Sequence, residues 1–162
     1  MRAAGPHDEP AVTAVLKASY PRLMKEAYDE AVLTAALDAM TTANPTLIAS
    51  GTYYVAESPI GQVVGCGGWS REAPGSGSVR NRVGHVRHFA TDPAWTRLGI
   101  GRAIYAVCER DARAGGIKEL TCYSSRNAVE FYAALGFDKV HPIDVPLGAG
   151  VVLPGVLMRR RV

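Results

Sequence analysis

The chain has 162 residues, 48% of them apolar, and a formal net charge of +3. That length buries one core and is short for two, so a single domain over residues 1–162 is expected. No apolar run approaches the roughly 20 residues that span a bilayer, residues 1–10 lack the basic-then-apolar order of a secretory leader, and the positive charges are scattered apart from Arg159, Arg160 and Arg161; together these argue against a membrane or nucleic-acid partner and for a cytoplasmic protein.

Met1 to Ala4 reads as a short edge strand broken by Gly5-Pro6, after which Asp8 is placed to cap a helix over Glu9 to Ser19 that Pro21 ends. A second helix fits Asp29 to Met40, where Ala31, Leu33, Ala35, Ala36 and Leu37 are apolar. Asn44-Pro45 signals a turn. Thr52 to Glu57, with Tyr53, Tyr54 and Val55, reads as a strand that turns at Pro59 to Gly61 into a second strand over Gln62 to Trp69. Arg71 to Arg82 holds Pro74, Gly75, Ser76, Gly77 and Ser78 and is a surface loop.

Val83 to Thr91 is the next strand, stopped by Pro93, and a helix from Ile100 to Ala114 carries Ala103, Ile104, Val107 and Cys108 on one stripe before Gly115-Gly116. Leu120 to Tyr123 is a short strand. Asn127 then stands where a helix cap belongs, with Glu130 completing a capping box, ahead of a stripe of Ala128, Phe131, Tyr132 and Leu135 that Gly136 stops. Phe137 to Val140 and Val151 to Arg159 are the last strands, with Pro142, Pro146 and Gly148 in the loop between them. The order β-α-α-β-β-β-α-β-α-β-β mixes hairpins with helical crossovers. It predicts an α/β (mixed α+β) fold, a central mixed twisted sheet of about six to seven strands with helices on both faces.

Two stretches carry chemistry. In Thr91 to Ala103 (T-D-P-A-W-T-R-L-G-I-G-R-A) a strand end leads through a glycine-containing turn into a helix, which aims unpaired backbone N–H groups and the positive end of the helix dipole at one place suited to a phosphate. Gly99 and Gly101 let the backbone approach such a group, and Arg97 and Arg102 can add charge; the same glycines would also serve a plain helix start packed closely on its neighbours. The second stretch is Asn127 to Phe137 (N-A-V-E-F-Y-A-A-L-G-F), with Tyr132 five residues after Asn127.

Together the two stretches resemble the GNAT superfamily of acetyl-coenzyme A-dependent N-acetyltransferases, most strongly over Gly84 to Phe137. The family's first signature is a proline, two residues, then R/Q-x-x-G-x-G/A. Here Pro93, Gly99 and Gly101 match, Thr96 replaces the arginine or glutamine, and Arg97 falls where glycine is frequent. The resemblance implies a GNAT fold with acetyl-coenzyme A as co-substrate and no metal. It implies backbone bonds from Phe89, Ala90 and Thr91 to the pantetheine arm, a pyrophosphate wrapped by Arg97, Leu98, Gly99, Ile100, Gly101 and Arg102, and a cofactor contact at Asn127. Tyr132 matches the acid that protonates the departing thiolate, although a tyrosine on an apolar helix stripe is otherwise read as core.

An amine must lose a proton as it is acylated, and histidine is the side chain tuned to accept one near neutrality. Simple alternation along the strand ending at Thr91 places His85, Arg87 and Phe89 on one face and Val86 and His88 on the other. His85 occupies the position where the family often carries its base, and it reads either as that base or as a structural histidine. Glu57 and Glu72 stand in reserve. Ser124 and Ser125 can line a cleft between splayed strands, and Tyr20, Tyr28, Tyr53, Tyr54 and Trp69 can wall a pocket or fill the core. Cys66, Cys108 and Cys122 form no C-x-x-C pair and read as reduced, buried residues, which disfavours an acyl-cysteine route.

The expected activity is therefore acetyl transfer to a primary amine, of a small molecule or a peptide, by direct attack in a ternary complex of a monomer or homodimer. A coenzyme A-binding sensor without turnover is the rival of another class. A dinucleotide-binding domain is disfavoured because no acidic residue follows the G-x-G turn at the expected distance.

Overall fold

In β2 (Tyr53–Glu57) alternate residues belong to different cores, and this period of two divides the molecule into layers. Tyr53 and Val55 pack with Val12, Val15 and Leu16 of α1 (Glu9–Met24) and with Leu47 and Ile48 of α3 (Pro45–Ile48). Tyr54 and Ala56 face the other way, against Ile104, Tyr105, Cys108 and Ala112 of α4 (Ile100–Ala114) and Val129 and Tyr132 of α5 (Val129–Ala134). The computed structural model describes residues 1–162. The remaining elements are β1 (Arg2–Ala3), α2 (Glu30–Met40), β3 (Val63–Ser70), β4 (Val83–Thr91), β5 (Glu119–Ser125), β6 (Asp138–Gly148) and β7 (Val151–Arg161).

The strands form one seven-stranded sheet in the order β1-β2-β3-β4-β5-β7-β6. Only β4 and β5 run parallel, joined by the α4 crossover; every other pairing is antiparallel. A mixed sheet with helices on both faces, in the anticipated element order, is the observed architecture, with α3 added where a turn is expected at Asn44-Pro45. There Asn44 accepts the Leu47 N–H at 3.1 Å, so the cap prolongs the turn into a short helix. Across the α4 layer, Asp111 accepts from the Tyr54 hydroxyl at 2.8 Å and from Trp69 Nε1 at 3.1 Å, tying the helix to β2 and β3.

Three boundary expectations are corrected. Pro21 lies inside α1 and does not end it. The carbonyl it leaves without a donor is that of Lys17, an exposed residue, so water can replace the missing bond. Pro142 and Pro146 sit within strand β6, paired to β7 from Asp138 to Gly148, and are not in a loop. β6 is the outermost strand of the sheet, where a residue without an N–H breaks no ladder on its free side. Asn127 does not cap a helix, because Arg126–Ala128 is a 3₁₀ turn whose entry has no side-chain cap. A distant acceptor replaces the local one: the Tyr28 hydroxyl takes the Arg126 N–H at 2.7 Å, and Glu130 turns outward to Lys139 at 3.5 Å.

Alternation in β4 also fails, for a reason that shapes the site. Gly68 pairs Arg87 and Cys66 pairs Ala90, so His88 and Phe89 together oppose the single residue Gly67, a β-bulge with His88 at φ 47°. The extra residue moves Phe89 off the His85 face onto the α4 and α5 side. A Cβ on Gly67 would lie 2.6 Å from the Phe89 ring, so only glycine seats that ring over β3. Gly67→Val is expected to lower unfolding stability by about 1–3 kcal/mol through overpacking, measured by denaturant titration; an unchanged midpoint would mean that Phe89 does not depend on this contact.

Candidate active site

The β4–β5 ladder consists of Val83 with Glu119, Gly84 with Leu120 and His85 with Thr121, and there it stops. Beyond it β4 continues against β3 and β5 continues against β7, so the two parallel strands part and each presents an edge without a strand partner. The gap opens into a cleft of about 1160 Å³. The bulged backbone of β4 is held by two phenols, Tyr53 donating to the His88 carbonyl at 2.9 Å and Tyr20 to the Phe89 carbonyl at 3.2 Å.

One end of the cleft is the start of α4. Gly99 is the residue before the helix, at φ 79°, and no side chain caps the first turn. Arg97 is also left-handed, at φ 63°. Alternating such residues folds successive N–H groups toward one point, and the helix dipole adds partial positive charge there. Arg97, Gly99, Ile100, Gly101, Arg102 and Asn127 all line this end, as do Phe89, Ala90 and Thr91 on β4. A Cβ on Gly101 would meet the Phe131 ring at 3.1 Å, so the glycine keeps helix and ring close. Thr96 spends its hydroxyl on the Pro93 carbonyl at 3.1 Å and brings no charge. Leu98 is the exception among the turn residues, 67% exposed and outside the cleft, so only its backbone can serve.

Tyr132 comes from α5 into the middle of the cleft wall, 6% exposed, with Phe89 and Phe131 edge-on to its ring at centroid distances of 6.3 and 5.1 Å. Burial, with the Cys122 thiol beside it, pushes its pKa well above the usual phenol value, so the hydroxyl keeps its proton at neutral pH. Burial likewise raises Cys122 to about 12, which leaves a thiol rather than a nucleophilic thiolate.

His85 does not reach the cleft. It is 5% exposed on the face opposite Val86, its Nδ1 is 2.7 Å from the Thr121 hydroxyl, and its Nε2 is the one buried side-chain polar atom with no hydrogen-bond partner. The β4–β5 ladder is still paired at His85. The reserve acids are placed no better: Glu57 binds Arg2 at 2.9 Å near the sheet edge, and Glu72 is not in the cleft wall. The histidine in the cleft wall is His88, at the bulge that alternation from sequence could not foresee; its only sequence signal is Gly67 in the facing strand. Of the aromatic residues expected around a pocket, Tyr20 lines the cleft, whereas Tyr28, Tyr53, Tyr54 and Trp69 are core. Ser124 and Ser125 line it on β5.

A sheet opened between its two parallel strands, with an uncapped glycine turn at one end of the gap and a buried tyrosine at its centre, is the architecture of the GNAT fold. Residues 25–149 match the family model described as an acetyltransferase (GNAT) domain. A GCN5-related N-acetyltransferase from Rhodopseudomonas palustris superposes with a TM-score of 0.79 at 22% identity, covering 99% of this chain and 94% of its own. PaiA N-acetyltransferase from Thermoplasma acidophilum, solved in complex with coenzyme A, gives 0.74 at 16% identity, with coverages of 99% and 97%. N-acetylglutamate synthase from Neisseria gonorrhoeae, solved with coenzyme A and N-acetyl-glutamate, gives 0.62 at 18%, covering 99% of this chain and 34% of that one. The chain belongs to the GNAT acetyltransferase family. No helix is long and apolar enough to cross a membrane.

Burial, reinforced by Arg87, lowers the His88 pKa to about 4. An unfolded histidine titrates near 6.5, so on acidification the unfolded chain takes up this proton first. Stability should therefore be lost as pH falls from about 6.5 to about 4. Histidine NMR titration checks the cause, and a His88 midpoint near 6.5 would remove it.

Proposed function

We propose that the protein is an acetyl-coenzyme A-dependent N-acetyltransferase that acetylates a primary amine of a small molecule by direct attack in a ternary complex. The observation that carries this reading is the parting of β4 and β5 beyond His85 and Thr121, which leaves a strand edge and an open helix start along one cleft. The residues suit such a co-substrate. The β4 edge from Phe89 to Thr91, which no strand covers although Tyr20 already donates to the Phe89 carbonyl, offers amide-like bonds to a pantetheine arm, the turn from Arg97 to Arg102 offers N–H groups and two guanidinium groups to phosphates, and Asn127 is exposed with its amide uncommitted. One domain, working in a reducing compartment such as the cytoplasm, accords with three buried free cysteines.

In the step proposed, the neutral amine attacks the thioester carbonyl carbon and a C–N bond forms. His88 accepts the amine proton directly or through one water, a role that its cleft position supports and that the buried His85 cannot fill without rearrangement. The C–S bond then breaks, and Tyr132 donates its phenolic proton to the leaving thiolate. Solvent returns the proton from His88 to Tyr132. The products are an acetamide and the free thiol of coenzyme A. Cys122, held as a thiol, is not acylated on this route.

The direct test is acetyl-coenzyme A binding followed by amine-dependent thiol release; binding without release against any amine would leave a coenzyme A sensor. Gly101→Val pushes against Phe131 and blocks the turn, and should weaken coenzyme A binding at least tenfold by calorimetry, since roughly 1.4 kcal/mol is tenfold. Unaltered affinity in the folded variant would move the phosphates elsewhere. Tyr132→Phe and His88→Gln should each lower kcat by roughly 100- to 10,000-fold, and His88→Gln should also remove the step near pH 4 from the rate profile, leaving the slope set by the alkylamine's own ionisation. Should His85→Gln show those losses instead, the proton acceptor is His85.

A further inference from the structure

The acceptor end of the cleft lies between α1, α2 and the β6–β7 hairpin, and most of its wall is apolar: Leu23, Met24, Met40, Val145, Leu147 and Leu153. One full charge interrupts it. Arg87, half-buried on β4, lines the cleft next to His88; it is the last residue paired in register with β3 before the bulge. Its Nη1 donates to the Ser70 hydroxyl at 2.8 Å and to the Glu72 carbonyl at 3.4 Å. Those two bonds fix the plane of the guanidinium and leave its Nε–Nη2 edge without a protein partner. Arg87 takes part in none of the ion pairs of the molecule. The Glu72 carboxylate is near enough to favour the charged guanidinium but forms no ion pair with it. A partly desolvated arginine without a paired carboxylate is costly to keep, and its free edge is the fork that grips a carboxylate with two parallel bonds.

The acidic side chain in the cleft wall is Glu130, at the α5 end, where it is already paired with Lys139. At the acceptor end the cleft wall holds no carboxylate for a second positive charge, Glu72 lying outside the wall. We infer that Arg87 anchors the acceptor by a carboxylate, and that the acceptor is a carboxylate-bearing amine with an apolar body, such as an apolar α-amino acid, rather than a diamine or polyamine. This rests on the N-acetyltransferase reading above. Holding the anion at Arg87 sets the amine beside the next residue, His88, which is where its proton must go.

The test is thiol release at saturating acetyl-coenzyme A with leucine, methionine and phenylalanine, with the primary carboxamide of each, and with 1,4-diaminobutane. A charge-assisted pair gives the acids roughly a 10- to 100-fold advantage in kcat/KM over their amides. The amides have less basic amines and would otherwise react faster, so the comparison leans against the inference. Arg87→Met should collapse the acid-to-amide ratio toward one, mainly through KM, with coenzyme A affinity as the control for folding. Arg87→Lys, which keeps the charge and loses the fork, should recover only part of the ratio, and it decides the matter if Arg87→Met does not bind coenzyme A. Amides or the diamine used as well as the acids, or a ratio that survives loss of Arg87, would overturn the inference while leaving the acetyltransferase reading intact. Coenzyme A binding with no thiol release from any amine would bring down both.

Discussion

Everything in the site depends on where one ladder of hydrogen bonds ends. β4 and β5 pair for three residues and then diverge, and the gap is held open from both sides. β4 is retained by β3 and by the two phenols on its bulged carbonyls, while β5 is retained by β7. Tyr132 of α5, edge-on to Phe89 of β4, and Phe131, tilted against it, fill the apolar side of the opening. An unpaired strand edge is ordinarily a liability in a folded protein. Here it is recessed in a cleft, where a ligand with amide groups can complete it without exposing it to another chain.

Burial then sets the protonation of the groups along that cleft. The phenol of Tyr132 is held protonated, the Cys122 thiol is raised to about 12, and the His88 imidazole is lowered to about 4. The same cause, the cost of placing charge where water is scarce, moves acids up and bases down, so all three are neutral near pH 7. A neutral donor and a neutral acceptor are what a proton relay across a forming amide requires. Fixed positive charge is kept to the two ends, at Arg97, Arg102 and the α4 start on one side and at Arg87 on the other. That polarity suits a polyanionic co-substrate entering from the first end and an anion-bearing acceptor from the second.

The bulge at His88 does more than interrupt a pattern. It sends Phe89 to the α4 face to make the aromatic wedge, and His88 lines the cleft beside Arg87, whereas His85, before the bulge, is buried where β4 and β5 still pair. His85 Nε2 has no partner, so the ring is tolerated inside the sheet only as an uncharged group.

Local chemistry was enough to place most of the frame. The bounds Val83–Thr91 and Ile100–Ala114 follow from β-branched and aromatic runs, a stripe of helical period and glycine or proline stops, and the uncapped turn at Arg97 to Gly101 is legible because glycines before a helix act through their own backbone. These features depend on neighbours in sequence. What the sequence could not determine depends on partners far along the chain. Pro21 and Pro142 read as breaks until it is known that the groups they leave unpaired face solvent or a sheet edge. Asn127 reads as a cap until Tyr28, 98 residues away in sequence for its bond to Arg126, takes over an N–H of that turn. His88 and Phe89 read on the wrong faces because alternation has no place for a bulge, and the space for the Phe89 ring is left by Gly67 on another strand; that the β4–β5 ladder still reaches His85 is likewise a matter of partners far along the chain. Backbone propensity is a local property and was determined by the sequence alone; which polar group is left facing an opening is a property of packing, and only the tertiary structure decided it.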